Sequence, residues 1–99
     1  MTLGDAQRLA RALMLEHGLI AAGWRFEFDT ARVRFGVCRH VTKVIGLSRH
    51  LVQLNEEREV RDTILHEIAH ALHGRVRRGE SHGDGWKKIA ASIGATPTR

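Results

Sequence analysis

The 99-residue chain has one cysteine, one proline and no tyrosine. With Cys38 alone, no intrachain disulfide can close and no cysteine-rich zinc module can form. A reducing compartment is therefore expected, meaning an intracellular, cytoplasmic protein, with the nucleoid as one place it would associate. A single proline beside 42% hydrophobic residues excludes collagen-like and low-complexity classes. No run approaches the roughly 18 apolar residues of a membrane span. The first twenty residues, MTLGDAQRLARALMLEHGLI, lack the compact apolar core of a signal peptide. Lysine is scarce too, limited to Lys43, Lys87 and Lys88, yet the formal net charge is +5 because arginine carries the excess. That balance favours polyanionic partners such as nucleic acid, although a merely basic soluble surface would show the same number.

Ninety-nine residues suffice for one modest core and not for two, so residues 1–99 are expected to form a single domain. Thr2 is placed to cap a helix in which Leu3, Ala6, Leu9, Ala10, Leu13 and Met14 recur at helical spacing before Gly18. Trp24, Phe26 and Phe28 then alternate with Arg25, Glu27 and Asp29, the period of a half-buried strand. Residues 32–38 and 43–48 supply two further β-branched and aromatic segments. The expectation is an α+β fold with helices packed on a small three-stranded antiparallel sheet. Gly36 and Gly46 mark places where the backbone bends or is closely approached. Ser48 is expected to cap a short helical turn, Asn55 a long helix with Glu56, Glu57 and Glu59 in its first turn, and Asp84 a last helix ending at Gly94.

The long helix contains the stretch ILHEIAH, residues 64–70, where three polar side chains stand among isoleucine, leucine and alanine. Buried without partners, an imidazole or carboxylate costs several kcal/mol, on the order of 2–7 for a polar group. At 3.6 residues per turn, His66 and His70 lie about 40° apart and about 6 Å along the axis, so both reach one ion. Glu67 sits about 100° round from His66, placed for a water and not for the metal. This is the HExxH arrangement on the central helix: two imidazole ligands for one Zn²⁺, and a carboxylate to take a proton from the attacking water. A polar seam in which the two histidines only hydrogen-bond is the bland alternative.

A catalytic zinc site needs a third protein ligand. His82, in the glycine-flanked turn SHGDGW, is the favoured candidate. His73 is held in reserve, because it lies roughly 10 Å along the axis from His66. Glu80 and Asp84 are candidates to orient a ligand from behind, and equally to be solvated or capping. His17, His40 and His50 have no comparable spacing.

Taken together, the segments W-x-F-x-F-D at Trp24–Asp29, R-x-G-x-C at Arg34–Cys38, I-x-L-S at Ile45–Ser48, T-I-L-H-E-I-A-H-A at Thr63–Ala71 and H-G-x-x-W at His82–Trp86 resemble the SprT-like zinc metallopeptidases. That family includes the Spartan proteases of DNA–protein crosslink repair. The resemblance implies a minimal zincin fold, His66, His70 and His82 as ligands of one Zn²⁺, and Glu67 as general base. It further implies a zinc-dependent endopeptidase acting on DNA-associated or DNA-crosslinked proteins, with DNA, single-stranded or carrying the crosslink, as a partner. Many members carry a cysteine-rich zinc ribbon; with one cysteine these 99 residues hold none, so DNA contact is expected from the core.

Arg75, Arg77, Arg78, Lys87 and Lys88 surround the third-ligand candidate and offer phosphate contacts, with a solvated basic loop as the alternative. Lacking tyrosine, the chain leaves oxyanion stabilisation to Arg39, His40 or His73, or to the metal alone. Trp24 and Trp86 are either base-stacking surfaces or core. A zinc-stabilised nucleic-acid-binding module without turnover is the competing function, and a protease subunit of a larger complex a third.

Overall fold

The computed structural model describes residues 1–74 and 83–97. The described elements are, in chain order, α1 (Leu3–Glu16), β1 (Arg25–Asp29), β2 (Gly36–Arg39), β3 (Val44–Ser48), α2 (Arg49–Leu54), α3 (Glu57–His73) and α4 (Asp84–Ile93). This is an α+β arrangement of four helices and one three-stranded sheet. No helix among the described residues is long and apolar enough to cross a membrane.

The sheet has the order β1-β3-β2, and it is mixed, which corrects the expected all-antiparallel sheet. β2 and β3 form an antiparallel hairpin, whereas β1 runs parallel to β3, with Phe26 beside Ile45 and Phe28 beside Leu47. β3 is buried at all five positions and takes the centre. β1 and β2, consecutive in the chain, therefore lie on opposite flanks, and residues 30–35 pass over the end of β3. Ser48 secures that crossing: its backbone N–H donates to Phe35 O (2.8 Å) and its hydroxyl to Ala31 O (2.6 Å). Asp29 accepts from Ala31 N–H (3.0 Å) and from Arg34 Nη2 (3.1 Å), bracing the same segment. Because the crossing uses residues 32–35, β2 is shorter than the expected strand over 32–38.

The caps partly follow expectation. Thr2 Oγ1 accepts from Asp5 N–H (3.1 Å), and Ser48 Oγ accepts from Leu51 N–H (3.2 Å). Asn55, however, closes α2, donating its side-chain amide to Leu51 O (2.7 Å), while Glu56 is the N-cap of α3 and its N–H is bonded by Glu59 Oε1 (3.1 Å). Gly83 caps α4, with Asp84 already in its first turn. Side chains from α1, α3, α4 and one sheet face meet in a common core that includes Met14, Ile45, Leu47, Ile64, Ile68 and Trp86.

Candidate metal centre

Val60, Ile64, Leu65, Ile68, Ala69 and Ala71 bury the apolar side of α3 and fix the helix over the sheet. His66 and His70, one turn apart, then project together: their Nε2 atoms are 3.3 Å apart and their ring centroids 4.9 Å. Two imidazole nitrogens bound at about 2.0–2.1 Å to one tetrahedral zinc must themselves stand about 3.3–3.4 Å apart. The pair thus has the bite of that ion.

Trp86 of α4 holds both rings. Fully buried, it stacks on His70 at 5.1 Å and 26° and meets His66 edge-on at 4.7 Å. Its indole N–H donates to the His66 carbonyl at 3.4 Å. Trp86 is therefore core and an imidazole support, and the base-stacking alternative for it is withdrawn. Trp24, half-buried, meets His40 edge-on at 5.9 Å, and His40 Nε2 lies 3.8 Å from Cys38 Sγ.

Glu67 is only 7% exposed. Burial pushes its carboxyl up from 4.5 to about 7, and the Arg34 guanidinium pulls weakly the other way. A base poised near neutrality has the proton affinity that general-base chemistry at neutral pH uses. Burial, with a smaller effect of the Glu67 charge, pushes the Cys38 thiol up to about 12, so Cys38 is a protonated packing group and no nucleophile. Beside Glu67 opens a cleft of about 290 Å³, walled by Val33–Gly36 on one side and by Asp62, Thr63, His66 and Glu67 on the other.

Of the remaining expected residues, His82, Glu80, Arg75, Arg77 and Arg78 lie outside the described residues. Among the described ones, no three histidine, cysteine or acidic side chains gather around one point. His73 sits at the end of α3 against Gly85, and its Nδ1 is buried without a hydrogen-bond partner among the described residues. Lys87 and Lys88 are exposed on α4, and Arg39 is exposed at the end of β2. Two residues that the sequence showed only as members of the R-x-G-x-C and H-G-x-x-W segments have roles visible in the structure alone: Trp86 as the support of the histidine pair, and Arg34, fixed by Asp29 on the cleft wall. Residues 8–99 match the model of the SprT-like family, and no curated protein matches the chain.

Proposed function

The chain belongs to the SprT-like family, and from that premise we propose that it is a zinc-dependent endopeptidase, with residues 1–99 as one minimal-zincin domain. The 3.3 Å separation of the His66 and His70 Nε2 atoms, beside a buried carboxylate on an open cleft, is the observation that carries the proposal. His66, His70 and His82 would hold one Zn²⁺. Zinc bound there would supply Lewis-acid chemistry for the peptide carbonyl and would lower the pKa of the attacking water. Glu67 takes the water's proton on its carboxylate and returns it to the departing amine.

The sheet edge offers the peptide a track. Phe35 and Ser48 form a hydrogen-bonded pair, so in this register Val37 and Arg39 also bond to β3, while the N–H and C=O of Gly36 and Cys38 point away from it. Among the described residues no strand covers that edge, and an extended peptide pairing with it would pass beside Glu67. The substrates proposed are DNA-associated proteins and proteins crosslinked to DNA. The net charge of +5 and the basic residues Arg75, Arg77, Arg78, Lys87 and Lys88 support a DNA partner.

The test is zinc content and cleavage of a DNA-bound protein, with and without single-stranded DNA, for the native chain and Glu67→Gln. Expected are about one zinc per chain in both and DNA-stimulated cleavage only in the native chain, with the loss at least about 100-fold. Loss of metal together with activity would sink the role given to Glu67. Zinc without cleavage in either, combined with DNA binding that weakens steeply with salt, would instead favour the non-catalytic nucleic-acid-binding module.

A further inference from the structure

Gly36, the first residue of β2, has no side chain where the edge strand meets α3. A Cβ placed there would stand 3.0 Å from Glu67 Cγ, 3.0 Å from Glu67 Oε2 and 2.9 Å from Thr63 Cγ2. Ordinary carbon contacts begin near 3.5 Å. Two of the three contacts fall on Glu67, and because its Cβ is fixed by the helix, a change of rotamer that swings the carboxylate away is the movement that clears both. His66 and His70 project from other angles of α3 and are supported by Trp86, so the same Cβ leaves them alone. Backbone strain is not the reason for glycine here: among the described residues the positive-φ glycines are Gly18, Gly23, Gly74 and Gly94. The requirement at position 36 is one of space.

We infer that Gly36 is a positioning residue for the reaction proposed above, its bare α-carbon forming the seat that holds the Glu67 carboxylate at the cleft, so that a single methyl group there separates zinc binding from turnover. The inference rests on the endopeptidase reading for its kinetic consequence and on packing alone for its structural one. Gly36 also faces its N–H and C=O to the open edge, so the seat adjoins the peptide track. A side chain at 36 would fill the gap between edge strand and base.

The test compares the native chain, Gly36→Ala, and Gly36→Ala combined with Thr63→Ser, which removes the Thr63 methyl and its 2.9 Å clash. Zinc stoichiometry, kcat, KM and crystal structures are measured. The expected result is about one zinc per chain throughout, KM within about threefold of native, and kcat lower by about 100-fold or more in both variants. The crystal structures should show the Glu67 carboxylate displaced by about 1 Å or more with the His66–His70 pair unmoved. If the single variant fails to fold, the double variant is read in its place. Recovery of kcat in the double variant would trace the effect to the Thr63 clash and overturn the inference, as would an unmoved carboxylate. A native chain that cleaves nothing would sink the endopeptidase reading while leaving the crystallographic test of Gly36 intact.

Discussion

Glu67 presents the folded protein with a thermodynamic cost as well as a tool. In the metal-free chain its carboxyl sits at about 7, above the 4.5 expected once unfolded. The folded state then binds the proton more tightly between those values, so this group's contribution is most favourable below about pH 4.5 and declines as pH rises through 7. Glu67→Gln removes that decline. With chelator present, urea unfolding should show the variant gaining on the native protein from about pH 5 to pH 8, by on the order of 3 kcal/mol at the upper end. A stability difference that does not change with pH would mean that the carboxyl is not desolvated. At this scale the sequence was informative: helical spacing alone brought the rings of His66 and His70 together and placed Glu67 round the helix from them. It was silent on Trp86 as their support, because a tryptophan at core spacing looks the same whether it packs on leucine or imidazole.

Elements were legible in kind and less so in pairing. Alternation of Trp24, Phe26 and Phe28 tells which face each side chain takes, but both parallel and antiparallel neighbours satisfy the same alternation. The direction of β1 is decided by the crossing over β3, and the residues that hold it, Asp29, Ala31, Arg34 and Ser48, announce themselves only in three dimensions. Asn55 and Glu56 show a second limit, since two adjacent helices share one polar junction and either residue suits either cap. Ser48 is the joint of this region: fully buried, it bonds the crossing segment with its hydroxyl and amide and caps α2 with the same hydroxyl. Ser48→Ala should therefore cost about 2–3 kcal/mol in urea unfolding, a lost cap plus an unsatisfied Ala31 carbonyl. Thr2→Ala, which removes a cap with an exposed hydrogen bond, should cost nearer 1 kcal/mol. Equal costs would show that the crossing does not depend on the hydroxyl.

For the molecule as a whole, a metal held by α3 and the residues beyond it would bind the folded chain and have no preformed site in the unfolded one. Saturation at about 100 times the dissociation constant adds about 2.7 kcal/mol. In a domain of this length that corresponds to roughly 10–20 °C in Tm. Thermal unfolding with chelator and after zinc addition should show that rise in the native protein and little of it in His70→Ala; an identical rise in both would place the metal elsewhere. The mixed sheet carries a different consequence, for the order of events in folding. The β2–β3 hairpin closes across a few residues, from Arg39 to Val44, whereas β1 pairs with residues nineteen positions away, Arg25 with Val44, and only on the far side of β3. Short loops close at less entropic expense and sooner than long ones. The strand that leaves the ribosome first is thus the last to find its place, and until it docks, the central strand has an open flank on which a second copy of the same segment would fit.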